Sequence, residues 1–557
     1  LNFYHYLSSK PSVTSPINYA EKSVLIVESM PEMRGVLRSQ IGEIGCKRVV
    51  MSGTVKEALE QFKKNSFDII ISDYHLPGGT TGQQFLEYLR TRNVIGRAVI
   101  FVMVTSEKGF ESVLSAAEHL PDAYLLKPFT PDALRSRLEG LLKRKQRLAK
   151  VDLLQDKRSW DGVVLACDQI IAAKDAYMVD ALRIKGSALL ASGRAETAVE
   201  FYRLMLREKS LPWAKLGLAR ALHMQGDSAG SEDILSDLIE DSPKFMAAYD
   251  VLGQLHTAMG KHDLALETLD KAGSISPNSL ARQRAIASVA ERIGNFKRVE
   301  TALDHVIKKT KGTLLRESED FARMGNALSE NGKITQAVTL LEDARVTFQN
   351  EGNNPLLASV EAIVHQKAGN ASKAEEALAR ALDTGEASAL PNYVLMMVAK
   401  ACLTNGKPNQ AQQFLKVVVQ NNPDSKDLHN HVSTLLKQHG AESLVDSVVS
   451  GGIQEIMALN NDAVRRARAG EFSAAAEILM DAAKRLPGNM LVSSNAAIAL
   501  LNDVLQNGLE PSKIRKAQTL QQAVQSHSPG YPKLGEIRKL MVRVRNKFAP
   551  VPAPKKA

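Results

Sequence analysis

At 557 residues, 44% of them apolar and 24% charged, the chain is too long for one ordinary core and too hydrophobic for a disordered or collagen-like class. Three cysteines, odd in number and far apart, argue against a disulfide framework and show no metal-ligand spacing. A formal net charge of +10 invites a nucleic-acid reading, but part of it is local: Lys533 to Lys556 carries eight Lys or Arg against one Glu.

Residues 1–20 lack periodicity and read as a flexible arm. No charged head with an apolar run opens the chain, and the apolar stretches are far short of a membrane span, so a cytoplasmic protein without membrane insertion is expected. Five short apolar runs then follow, at Val24–Val27, Arg48–Met51, Ile69–Ser72, Val99–Val104 and Tyr124–Leu126. Each is followed by a helix-compatible segment. Continuous apolarity suits parallel strands buried on both faces, so residues 21–131 are expected to form a doubly wound α/β domain with a five-stranded parallel sheet.

The carboxyl ends of parallel strands are where such a sheet places its site. Those ends carry Glu28-Ser29, Asp73, Thr105-Ser106 and Lys127-Pro128. Two acids, a hydroxyl and an amine converge on one edge. Carboxylates there can hold Mg²⁺, which prefers oxygen ligands. An Asp carboxylate can attack a phosphoryl group, and a lysine with a hydroxyl can hold the new phosphoryl oxygens.

After Pro131 the period changes. Leu134, Leu138, Leu141, Leu142, Leu148 and Val151 mark a basic helix over 132–157 with no breaking linker, which predicts a rigid junction. Helical hairpins are expected over 158–490. Glycines recur at 193, 226, 260, 294, 332, 369, 406 and 470. Seven residues before each stands Gly or Ala, and five after stands Ala in six of the eight. Small residues let two helices cross closely, and the glycine lets the chain reverse. The interval from Gly406 to Gly470 is 64 residues, so a degenerate unit is expected within 428–460. Capping helices are expected over 491–548 and a disordered basic tail over 549–557.

The strand-end motifs Val-Leu-Ile-Val-Glu28, Ile-Ser-Asp73-Tyr-His-Leu-Pro77, Val-Thr105-Ser and Tyr124-Leu-Leu-Lys127-Pro128-Phe129 together resemble the receiver (CheY-like) domain of bacterial two-component response regulators. The resemblance implies Asp73 as phosphoacceptor. It implies Thr105 and Lys127 as contacts to the phosphoryl group and Tyr124 as a ring that moves with Thr105. Mg²⁺ would be placed by Glu28, Asp73 and the backbone carbonyl of His75, and a cis peptide is implied before Pro128. The family usually has a second acid where Ser29 stands. A neutral hydroxyl should weaken the metal site and lower the pKa of Asp73 relative to a full acidic triad. The loop Gly78-Gly79-Thr80-Thr81 is one residue longer than the family's commonest form.

The recurring register, best seen in Tyr249, Leu252-Gly253, His256, Gly260, Ala265, Leu269, Ala272 and Pro277, resembles the tetratricopeptide repeat (TPR). That implies an all-α superhelical solenoid with a groove for protein ligands. Asp180, Arg183, Asp250 and Gln254 fall at groove-facing positions. The expected function is a response regulator in which a sensor histidine kinase or phosphotransfer protein phosphorylates Asp73, controlling a protein ligand of the TPR groove. The alternative is a constitutive scaffold whose pseudo-receiver docks partners without phosphorylation. Enzymatic activity beyond autophosphorylation from a donor and slow acyl-phosphate hydrolysis is not expected, and nucleic-acid binding is disfavoured. The surface from Lys108 to His119 is a candidate homodimer face.

Overall fold

The computed structural model describes residues 17–77, 80–106, 121–207, 209–349, 352–383, 385, 390–528 and 530–548. The loop glycines Gly78 and Gly79, the segment from Lys108 to His119, most of the expected N-terminal arm and the tail 549–557 lie outside them. No helix among the described residues is long and apolar enough to cross a membrane.

The N-terminal domain is a five-stranded parallel sheet in the order β2-β1-β3-β4-β5, with β1 Ser23–Val27, β2 Arg48–Ser52, β3 Ile69–Asp73, β4 Ile100–Thr105 and β5 Ala123–Leu126. The order reverses between β1 and β3, and a crevice opens there at the strands' carboxyl ends. Val24–Val27, Ile69–Ile71 and Ile100–Val104 are essentially inaccessible to solvent. That is the cause of their unbroken apolarity, since helices cover both faces of the sheet.

Among the described residues, three helices of this domain precede the junction: α1 Pro31–Ile44, α2 Val55–Phe62 and α3 Gly82–Thr91. Thr81 caps α3 through a reciprocal box: its Oγ1 accepts from Gln84 N, and Gln84 Oε1 accepts from Thr81 N. Thr54 caps α2 and Thr130 caps the junction helix Pro131–Asp156 in the same single-sided way. The last residues of the expected arm belong to the fold instead. Ile17 and Tyr19 pack against the core beneath α1, because both are apolar and directly abut β1.

The junction helix serves two cores. Leu134, Leu138 and Leu142 pack with α1 and the sheet, while Leu148 and Val151 pack with Val163, Ala166 and Cys167 of the first repeat helix, Trp160–Ala172. Its charges tie both ends. Lys145 Nζ lies 3.0 Å from Asp122, just before β5. Arg144 lies 2.8 Å from Asp180 and 3.9 Å from Asp122. Arg147 pairs with the nearly buried Asp175 at 2.5 Å.

Helical hairpins make up the rest, and the fold is a TPR-like solenoid. The chain divides into two compact units, Leu1–Ile293 with Thr301–Glu317, and Gly294–Glu300 with Ser318–Ala557. All eight turn glycines have positive φ, between 69° and 97°. At three of the turns, the glycine seven places before has a definite counterpart nine places after. A Cβ on Gly186 would lie 2.5 Å from Tyr202, one on Gly253 2.7 Å from Leu269, and one on Gly325 2.8 Å from Leu341. These three hairpins close by setting one large side chain onto a bare backbone on the facing helix.

The irregular interval contains a ninth turn. Gly440 has φ 68° and follows helix Lys426–Gln438. What should be the second helix is reduced to a 3-10 turn, Glu442–Leu444, and one α turn, Val445–Val448, before the 19-residue helix Ser450–Arg468. Gly452 lets that long helix lie against Val419, where a Cβ would come within 3.3 Å. The C-terminal helices Pro511–His527 and Leu534–Phe548 bury Ala517, Val524, Leu534, Ile537, Leu540 and Val544 against Met490–Asn507, covering its apolar flank.

Candidate functional site

Parallel register brings the strand ends to one edge. Val27 pairs with Ser52 and Ser72, Asp73 with Val104, and Thr105 with Leu126. Backbone bonds continue the ladder one residue further: Glu28 N donates to Ser52 O, Tyr74 N to Val104 O, and Lys127 N to Thr105 O. Glu28, Asp73, Thr105 and Lys127 therefore all stand on the last residue of a strand or the one after it. The Lys127–Pro128 peptide is cis.

Lys127 is the centre of the charge arrangement. Its Nζ lies 2.7 Å from Glu28 Oε2 and 3.3 Å from Asp73 Oδ1. Glu28 is only 1% exposed, and its other oxygen accepts from Met30 N at 3.0 Å and from Ser29 Oγ at 3.4 Å. Asp73 Oδ1 also accepts from Tyr74 N at 2.9 Å, which leaves Oδ2 outside these contacts. Burial pushes the Asp73 carboxyl above its ordinary value; Lys127 pulls it back, and the neighbouring Glu28 charge adds to the rise. Even with a serine at position 29, burial keeps Asp73 from being a surface-like carboxylate.

Thr105 is fully buried at the end of β4. Tyr124 is half-buried on β5, opposite Met103, and packs against the core that holds Phe85 and Phe101. Burial pushes its phenol far up, so the ring stays neutral at any physiological pH. His75 is exposed, forms a backbone bridge with Thr81, and sets its ring edge-to-face with Tyr74 at 5.0 Å.

Arg34 belongs to this site and was not anticipated from the sequence. From the first turn of α1 its Nη1 donates to Glu28 O at 2.7 Å and Ser29 O at 2.9 Å. It bridges the two successive carbonyls of the acidic loop. The sequence signal was an arginine six residues after the strand-end acid, one helical turn inside α1, which points back over the loop.

The oxygen donors on hand suit a hard cation, but they are sparse. Glu28 and Asp73 supply the two carboxylates, both facing Lys127, and no group of three His, Cys, Asp or Glu gathers among the described residues. The set fits Mg²⁺ that keeps most of its water shell.

The four candidate groove residues fall in two pairs, one on helix Met178–Ala191 and one on helix Met246–Ala258. Asp180 is engaged by Arg144 of the junction helix. Arg183 stacks over the Trp213 ring, 5.6 Å from its centroid. Asp250 accepts two hydrogen bonds from the buried Arg282, at 2.8 and 2.9 Å. Gln254 is exposed. Three of the four are thus occupied within the chain, because charged and planar groups on adjoining helices found each other first.

Comparison with known proteins agrees with this anatomy. The family "response regulator receiver domain" matches residues 24–139, and tetratricopeptide-repeat families match residues 212–236 and 247–279. The chain is 26% identical over 121 residues to chemotaxis protein CheY-3 of Vibrio cholerae, covering 22% of this chain and 92% of that protein. It is equally similar to chemotaxis protein CheY of Pseudomonas aeruginosa, with 96% of that protein covered. Among solved structures, chemotaxis response regulator CheY4 of Vibrio cholerae is 27% identical, covers 22% of this chain and 98% of its own, and gives a TM-score of 0.20. A tetratricopeptide repeat protein from Parabacteroides merdae is 14% identical, covers 46% and 96%, and gives a TM-score of 0.30. The chain thus carries a response regulator receiver domain followed by an array of tetratricopeptide repeats.

Proposed function

We propose that the protein is a two-component response regulator in which phosphorylation of Asp73 controls protein binding by the repeat array. The observation that carries this reading is Asp73 at a strand end, with one oxygen held by Lys127 and Tyr74 N and the other outside those bonds. In the step proposed, Asp73 Oδ2 attacks phosphorus. The new O–P bond forms as the bond to the donor breaks, and the leaving group is the imidazole of a phosphohistidine or the carboxylate of acetyl phosphate. The Lys127 ammonium and the Thr105 hydroxyl would then hold phosphoryl oxygens, and Lys127 must loosen from Glu28 to do so. Mg²⁺ would be held by Glu28, Asp73 and the His75 carbonyl, and when bound it supplies charge neutralisation between donor phosphate and carboxylate. Arg34 would position the Glu28–Ser29 loop without touching the phosphoryl group. A sensor histidine kinase or phosphotransfer protein would be the donor, and the junction helix, packed into both cores, would carry the change to the first repeat.

The test is intact-mass measurement after incubation with acetyl phosphate and Mg²⁺. An adduct of about 80 Da that is lost in Asp73→Asn is expected. No adduct in the wild type sinks the reading. A scaffold with a pseudo-receiver is then favoured, and Ser29, which removes a metal ligand, is the observation that supports it. That second reading expects Asp73→Asn to leave partner binding unchanged.

A further inference from the structure

The step from Gly294 to Gly332 is 38 residues, against 33 or 34 for the three turn-to-turn steps before it. The longer connection is Lys311–Glu317, between helices Phe296–Thr310 and Ser318–Glu330. It has a defined internal structure. Gly312 takes φ 74°. Thr313 Oγ1 donates to Thr310 O at 3.0 Å and accepts from Leu315 N at 3.3 Å. Arg284 donates to Leu315 O at 3.0 Å and lies 3.5 Å from Glu317.

Two consecutive leucines in this loop serve different cores. Leu315, 7% exposed, packs with Leu280 and Val306 of the repeats, and Tyr88 of receiver helix α3 packs against that cluster. Leu314 packs against the receiver core that contains Phe85, Leu86 and Leu89 of the same α3. Each side thus contributes one side chain to the other's core. The receiver helix concerned is anchored at the candidate phosphoacceptor. Gly82 N donates to Tyr74 O at 2.7 Å, and a Cβ on Gly82 would lie 2.3 Å from Asp73 O. No side chain larger than hydrogen fits between α3 and the end of β3.

We propose that the Lys311–Glu317 loop is a built-in docking site whose occupant is the chain's own receiver, seated through Tyr88 and α3. The repeat array then holds the receiver by a second contact besides the junction helix, and this contact lies one short helix away from Asp73. Its use in signalling rests on the phosphoacceptor reading; the docking itself does not.

Hydrogen–deuterium exchange on the full chain tests the docking through its reciprocity. Leu314→Asp, on the array side, is expected to raise exchange in Phe85–Arg92 of the receiver about tenfold or more. Tyr88→Asp, on the receiver side, is expected to raise exchange in the loop residues after Thr310 by a similar factor, while repeat helix Met246–Ala258 stays protected in both variants. Tyr88→Phe keeps the ring and is expected to leave both segments as in the wild type. Unchanged exchange on the opposite side in either Asp variant, or loss of protection in Tyr88→Phe, overturns the proposal. The same protection is expected in Asp73→Asn, so failure of docking and failure of the phosphoacceptor reading are told apart.

Discussion

Lys127 Nζ sits 2.7 Å from Glu28 Oε2 and 3.3 Å from Asp73 Oδ1, closer to the acid that is not the proposed phosphoacceptor. The pocket therefore rests with its cation divided between two carboxylates. Ser29 stands next to that pair as a neutral residue. Any bound cation must compete with Lys127 for both acids, with little further charge to attract it.

Ser29→Asp restores a third carboxylate beside Glu28. Mg²⁺ affinity, read by calorimetric titration, is expected to tighten about tenfold or more, equivalent to ~1.4 kcal/mol. An unchanged affinity would show that the Lys127 pairing, not the missing acid, limits the site.

Asp73 makes stability depend on pH with a definite sign. Its carboxyl is raised in the folded protein, chiefly by burial. The folded state therefore holds that proton more tightly than the unfolded chain, whose aspartates titrate near about 3.9. The stability it contributes is full below that pH and is lost as pH rises through the raised folded value. Asp73→Asn, which leaves Lys127 its nearer partner Glu28, should be more stable than the wild type at pH 7. The gap should close toward pH 4. Urea melts across that range check it; a gap that stays constant would sink the assignment.

Gly217 marks a tight helix crossing in the first unit. A Cβ there would lie 2.2 Å from Cζ of Tyr202, a buried ring that also covers Gly186. Gly217→Ala should cost about 1–3 kcal/mol by overpacking. In a Tyr202→Leu background the same alanine should cost measurably less, since the clash is with the ring.

Asp250 compensates Arg282, which is 2% exposed. Asp250→Ala should destabilise by about 3–5 kcal/mol, because it leaves a buried guanidinium without its carboxylate. Arg282→Met in the Asp250→Ala background should recover part of the loss. Additive losses would show that the residues act through packing rather than as a pair.

All three cysteines are buried. Burial pushes Cys167 up to about 12 and Cys402 up to about 11, and raises Cys46 as well. The native protein should therefore resist thiol reagents at pH 8 and titrate all three thiols only after denaturation. Fast labelling of any one in the native state contradicts the packing described.

The three central strands were legible because each is buried on both faces, so its apolarity is unbroken, while the partly exposed edge strands β2 and β5 give shorter runs. The strand-end acids, hydroxyl and lysine were legible because parallel register carries successive strand ends to one edge whatever the helices do. The intrachain partners of Asp180 and Asp250 were not legible for the opposite reason. Repeat register shows which face a residue stands on, but not that Arg144 or Arg282 has reached it from another helix. Gly440 escaped notice because its flanking positions hold Ser433 and Val445 rather than the alanines of most other units.

Local sequence alone determined the periods, the turns and the chemistry at each strand end, since these depend on neighbours within a few residues. Tertiary structure decided how that chemistry is connected. It set Lys127 nearer Glu28 than Asp73, aimed Arg34 at the loop carbonyls, and seated Leu314 in the receiver's core. Those contacts join residues from five to more than two hundred positions apart, and only packing, not periodicity, chooses among the partners available at such range. The N-terminal α/β domain and the helical array were evident as two parts from the outset, and the fold adds that they share one helix and a second seat.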